Sequence, residues 1–201
     1  MKTIVLLSLT ILGACSQKKE NRPLSQLQMA ENIPVTQQYT YNKTTQDGKK
    51  IKIVETRIKD IRFAELTIYT EGYRRNIPLE IGAIDPVDRV ELADIDQNGE
   101  EELIIFTKEL EGNRKGDFMI LANSTEGELT KIETEPLDPK EYLRDGMLEG
   151  YLGFDRFSIE EDRLVRTYPY FDVNQYNSKN NGKTRQVIYK LHDLQILMKA
   201  P

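Results

Sequence analysis

Apolar and polar side chains alternate with a period of two along much of the chain after Tyr39, and that period predicts strands. Tyr39-Thr40-Tyr41 leads to a turn at Gln46-Asp47-Gly48-Lys49, whose Asp-Gly pair is a hairpin signal. Ile51, Ile53 and Glu55 then alternate with Lys52, Val54 and Thr56. The run from Ile61 to Thr70 places Phe63, Glu65, Thr67 and Tyr69 on one face and Ala64, Leu66 and Ile68 on the other. β-Branched and aromatic residues dominate it, as a pleated, half-buried surface requires. Glu71-Gly72 closes this strand, Tyr73 to Leu79 is expected to pair back, and Gly82 and Pro86 punctuate the next segment.

The pattern then changes from alternation to continuous apolar runs. Val90-Glu91-Leu92-Ala93 and Leu103-Ile104-Ile105-Phe106 flank an acidic loop, and Phe118-Met119-Ile120-Leu121 follows a turn containing Gly112, Asn113 and Gly116. Four apolar residues in a row leave neither face polar, so Leu103–Phe106 is expected at the centre of a sheet, covered on both sides. Leu129 to Glu133 reads as an edge strand. Asp138-Pro139 predicts the start of one short helix, with Glu141 in its first turn and Tyr142, Leu143 and Met147 on its inner side. Strand signals return at Arg156–Glu160 and Leu164–Tyr168. An Asn-rich loop spans Asp172 to Gly182, and Arg185–Leu191 and Leu194–Met198 form a closing hairpin across His192-Asp193. There is no internal repeat. About ten short strands with regular turn signals predict a mostly-β fold, an antiparallel β-sandwich or rolled sheet.

The N-terminus obeys a different rule. Lys2 precedes a nearly continuous apolar run from Ile4 to Leu12, and Gly13 and Ala14 then lead to Cys15. This is the layout of a secretory signal, and the run is too short to span about 20 residues of bilayer core. Leu12-Gly13-Ala14-Cys15 resembles the lipobox of bacterial lipoproteins, in which the cysteine is acylated and becomes the mature N-terminus. That resemblance implies a signal peptide over 1–14 and a lipid-anchored tether over 15–38, followed by a single β-rich domain over 39–201. Ser16, rather than an aspartate, implies an outer-membrane address facing the periplasm. The polar tether, with Pro23 and Pro34, is expected to reach roughly 25 Å as a flexible chain. Leu24, Leu27 and Met29 offer an alternative, a short helical turn.

Composition narrows the functional classes. The 201 residues are 38% hydrophobic and 30% charged, within the globular range, and the net charge of −5 argues against a nucleic-acid partner. Cys15 is the sole cysteine, so the domain after it has neither a disulfide nor a thiol for catalysis.

The loop Asp94-Ile95-Asp96-Gln97-Asn98-Gly99-Glu100-Glu101-Glu102 carries the clearest candidate chemistry. Asp94, Asp96 and Asn98 alternate inward, Glu100 can lend its carbonyl, Glu102 can close the site, and Gly99 permits a sharp bend. Oxygen donors at this spacing suit a hard cation such as calcium, at a weak affinity of about 0.1–1 mM. A solvated hairpin turn built on Asn-Gly explains the same residues. An EF-hand is excluded, because Ile105 stands where the bidentate glutamate belongs and the flanks are strands. The spacing resembles the Asp-x-Asp-x-Asn-Gly-x-x-Glu loops of FG-GAP and related β-repeat proteins, where a hairpin carries calcium. One copy is present, which rules out a propeller.

A broader resemblance covers residues 50–130. The strand Ile61–Thr70, the Val90–Phe106 hairpin and the strand Phe118–Leu121 are similar in layout to periplasmic inhibitors of invertebrate-type (I-type) lysozyme, a β-sandwich family of the bacterial envelope. That family's Ser/Gly/Tyr-rich inhibitory loop falls near Lys108–Asp117. Here the stretch contains neither Ser nor Tyr, so no inhibitory residue carries over, and the chain from Glu149 onward lies outside the resemblance.

Two further groups of residues have chemistry to offer. Tyr168, Tyr170, Phe171, Asp172, Asn174, Tyr176 and Asn177 combine aromatic faces with amides, which suits a sugar ring or a peptide. The alternative is that these aromatics tuck back onto the sheet. His192 is the sole histidine and sits in an expected turn; no serine has a Gly-x-Ser-x-Gly elbow, zinc lacks ligands, and no Gly-rich phosphate loop is present. Carboxylate pairs are abundant but none is singled out. The expectation is a membrane-anchored, non-catalytic binding module of the envelope, lysozyme-inhibitor-like, whose partner is a lysozyme-like protein or peptidoglycan. The alternatives are a cell-wall carbohydrate-binding module and a carboxylate-dependent glycoside hydrolase.

Overall fold

The computed structural model describes residues 36–134, 138–172, 180–192 and 195–199. The chain divides into two units, Met1–Pro34 and Val35–Pro201, and every described residue belongs to the second. Cys15, Asn174, Tyr176 and Asn177 lie outside the described residues.

Among the described residues, twelve antiparallel strands form three sheets, each a meander in chain order. The first sheet contains β1 (Thr36–Thr44), β2 (Lys50–Ile58), β3 (Ala64–Glu71) and β4 (Leu79–Ile84). The second contains β5 (Val87–Ala93), β6 (Glu102–Lys108), β7 (Gly116–Asn123) and β8 (Leu129–Lys131). The third contains β9 (Arg156–Glu160), β10 (Arg163–Phe171), β11 (Asn180–His192) and β12 (Gln195–Lys199). The fold is mostly β and antiparallel, as the alternation predicts. A four-strand meander is also the unit that propellers repeat radially.

The second sheet lies between two apolar cores. Leu103 and Ile105 of β6, with Met119 and Leu121 of β7, pack with Ile51, Ile53, Leu66 and Ile68 of the first sheet. Ile104, Phe106, Ile120 and Ala122 alternate with them and pack with Leu164, Tyr168, Val187 and Tyr189 of the third. Successive strand residues point to opposite faces, so a strand covered on both sides must be apolar at every position. That explains the unbroken Leu103–Phe106 run, and β6 is an interior strand of its sheet, as expected.

Several boundaries differ from the sequence reading. β1 starts at Thr36 rather than Tyr39, and Thr36 pairs with Ile58. Its first residues are exposed on an edge strand, so no apolar period marks them. The strand expected over Tyr73–Leu79 is instead a turn leading into β4. The Asn76 side chain ties this turn by accepting from Tyr73 N and donating to Tyr73 O. The expected helix is a single 3-10 turn, Pro139–Tyr142, capped by the Asp138 side chain accepting from Lys140 N at 2.9 Å. It buries no residue, and Tyr142 and Leu143 are exposed rather than inward; Leu148 fills the core instead. The Asn-rich stretch from 172 is shorter than expected, because β11 starts at Asn180.

Candidate metal centre

The acidic loop joins β5 to β6, where Ala93 pairs with Glu102. Two residues fasten it. Ile95 is buried in the core shared with the third sheet, and Ile95 N donates to Glu102 Oε2 at 2.9 Å. Glu102 is only 1% exposed. Between these points the chain curls around its own side chains. The two oxygens of Asp94 accept from Asn98 N and Gly99 N, each at 3.0 Å. Asp96 accepts from Asn98 N at 3.1 Å and from Asn98 Nδ2 at 3.0 Å. Asn98 Oδ1 accepts from Glu100 N at 2.7 Å. Gly99 adopts φ +89°, and a Cβ there would meet no atom within 4 Å, so its requirement is conformational rather than steric.

This curl gathers negative charge. Asp94, Asp96 and Glu102 each bring a carboxylate oxygen within 4.8 Å of the others. Among the described residues no ion pair involves any of the three; the nearby Lys49 Nζ reaches Asp47 at 2.7 Å and Glu100 at 3.8 Å. Burial pushes the Glu102 carboxyl up to about 7; Asp96 and Asp94 add to this, and the bond from Ile95 N opposes it. An all-oxygen donor set with uncompensated charge fits a hard divalent cation, which replaces mutual repulsion with attraction.

The five sequence-assigned ligands take distinct positions. Asp94, Asp96 and Glu102 converge. Asn98 spends its side chain bracing Asp96 and Glu100 N. The Glu100 carboxylate turns away to accept from Asn123 Nδ2 at 2.9 Å, so this residue can serve only through its main-chain carbonyl. Glu101 reaches the β1–β2 turn, accepting from Gln46 N at 2.6 Å.

Of the expected Tyr/Asn surface, Tyr168, Tyr170, Phe171 and Asp172 lie within the described residues. Tyr168 is fully buried, its hydroxyl donates to Met147 O at 2.8 Å, and it stacks edge-on against Tyr151. It is therefore a core residue and not a binding surface: its place on β10 faces the second sheet. Tyr170 is half-buried, donates to Glu149 at 3.2 Å and lies beneath Arg185. His192 is the last residue of β11 and pairs with Gln195.

One polar cluster has no counterpart in the sequence reading. Asp155 and Arg166 are both buried, with Arg166 Nε 3.5 Å from Asp155 Oδ1. Asp155 Oδ2 accepts from Gly116 N and Tyr151 OH, each at 2.7 Å, and Arg166 donates to Gly116 O at 3.1 Å. The cluster locks the start of β7 to the third sheet. Arg166 interrupts the apolar run of β10, which is the one trace it leaves in the sequence.

Comparison of the chain with protein-family models, with curated proteins and with solved structures returns no match, so the functional argument rests on the residues themselves.

Proposed function

We propose that this chain is a lipid-anchored, non-catalytic binding module of the bacterial envelope, with a β5–β6 loop that takes calcium. The observation that carries the calcium reading is the convergence of the Asp94, Asp96 and Glu102 carboxylates around a buried member. The motif from Leu12 to Cys15 supports the anchor. Calcium would be held by Asp94, Asp96 and Glu102, with the Glu100 carbonyl and a second lone pair of the Asn98 Oδ1 that already accepts from Glu100 N completing an oxygen shell. In that role it is structural, pinning a connection between two strands of the central sheet. Millimolar calcium is expected to raise the melting temperature of the wild-type protein, and Asp96→Ala to remove that rise while changing little in chelator. Calorimetry with no calcium heat, together with an unshifted melting temperature, would rule it out.

The partner is proposed to be a protein, with lysozymes the first class to test, rather than a cell-wall sugar. Burial of Tyr168 removes one of the aromatic faces on which the sugar reading depends. Complex formation with a panel of lysozymes is the direct assay, and no binding to any class would sink the inhibitor-like reading. Labelled palmitate should enter the wild-type chain and not Cys15→Ala.

A further inference from the structure

We propose that the end of the domain formed by the β2–β3 turn and the β6–β7 connection is a membrane contact, with Ile61, Phe63 and Leu110 entering the boundary between lipid head groups and acyl chains. This contact presupposes the lipid anchor proposed at Cys15. Three large apolar side chains are exposed on these two connections: Ile61 at 54%, Phe63 at 45% and Leu110 at 68%. Ile61 and Leu110 line both of two adjoining clefts, of about 590 and 330 Å³. Single exposed apolar residues are ordinary, but a cluster at loop tips marks a contact surface.

The position of the first strand's start points to lipid as the occupant. Thr36 pairs with Ile58, one turn from Ile61, and Gln37 lines the smaller cleft. The domain's N-terminal strand therefore begins at the end that carries the apolar tips. Cys15 precedes Thr36 by 21 positions, a contour of at most about 75 Å. A lipid at Cys15 keeps this end within reach of the bilayer, so a weak second insertion becomes effectively intramolecular.

Lys59, Asp60 and Glu111 line the same clefts and are exposed, so the insertion is shallow and keeps these charges at the head-group level. Arg62 is held by Asp85 at 3.0 Å and by Glu109 at 2.7 Å, and its guanidinium lies 5.1 Å from the Phe63 ring centre. Its charge is compensated within the protein and does not call for an anionic head group. The acidic loop 94–102 joins the β1–β2 turn at the opposite end of the strands, away from a negatively charged leaflet.

The chain contains no tryptophan, so a single introduced indole reports its own surroundings. Ile61→Trp, Leu110→Trp and, as a control in the β3–β4 turn at the other end, Ile77→Trp are made in the chain from Cys15 onward. The thiol of Cys15, the sole cysteine, is coupled to a maleimide lipid in phosphatidylcholine vesicles. Chemical coupling makes the outcome independent of whether the cell acylates Cys15, which palmitate labelling decides separately. The expected result is a blue shift and quenching by brominated acyl chains at positions 61 and 110, insensitive to salt, with neither effect at 77. Water-exposed emission at 61 and 110 overturns the proposal, as does equal quenching at all three positions. A blue shift that appears only when a lysozyme is added also overturns it, and makes this end a protein-binding face.

Discussion

Glu55 is fully buried, and every direction in which its carboxylate can accept is used. Arg57 donates to it at 2.6 and 3.0 Å, Tyr41 OH at 2.9 Å and Val87 N at 3.0 Å, a clasp between the first sheet and the start of the second. Arg57→Ala leaves a buried charge without its cation and is expected to cost about 3 kcal/mol, read from the urea midpoint. Tyr41→Phe removes one bond to a charged acceptor and should cost about 1.5 kcal/mol. Glu102 is the contrasting case, a buried carboxylate beside two others. Its folded pKa of about 7 lies above the ordinary carboxylate value of 4.5. Between those values the native state holds more protons than the unfolded chain, so this group's contribution to stability falls as pH rises through the window. In chelator the wild-type protein should therefore lose stability between about pH 5 and pH 8 relative to Glu102→Gln. Parallel pH profiles for the two proteins would disprove the assignment.

At the scale of elements, the turns separate two uses of glycine. Gly99 sits at φ +89° with open space around it, so Gly99→Ala should cost about 1 kcal/mol through backbone strain alone and weaken calcium binding with it. Gly116 has no such φ, but a Cβ there would stand 2.8 Å from the Phe157 ring and 3.2 Å from Asp155 Cβ. Gly116→Ala is therefore expected to destabilise by more than Gly99→Ala in thermal melts, because the clash falls on packed groups on which the Asp155–Arg166 lock depends. The strands themselves were largely legible. Alternation located β2 and β3, and turn residues placed most connections. Asp138, Pro139 and Glu141 predict a helix, yet the segment is one 3-10 turn with no inner face, because a start signal says nothing about whether an apolar stripe comes after it.

For the whole molecule, the controlling fact is that one sheet serves two cores. Ile104 and Ile105 are neighbours in the chain, yet one packs with the third sheet and the other with the first. Ile104→Val and Ile105→Val should each cost about 1 kcal/mol. Because their side chains enter separate cores on opposite faces of the strand, the double variant should lose roughly the sum, with any coupling carried by the backbone they share. A strongly non-additive result by chemical denaturation would mean that the two cores respond as one.

The mostly-β class, the doubly covered central strand and the acidic spacing from Asp94 to Glu102 were determined by sequence alone. Each depends on the side-chain period of a strand or on donor spacing within one loop, and both are local. Tertiary structure decided what depends on distant segments meeting. It set the second sheet between the other two, turned Tyr168 inward, and turned the Glu100 carboxylate toward Asn123. It also joined Asp155 to Gly116 across 39 positions and Gln46 to Glu101 across 55. A strand's pattern records that a face is covered but not by what, because many apolar surfaces cover it equally well. The cover is chosen only when the sheets pack.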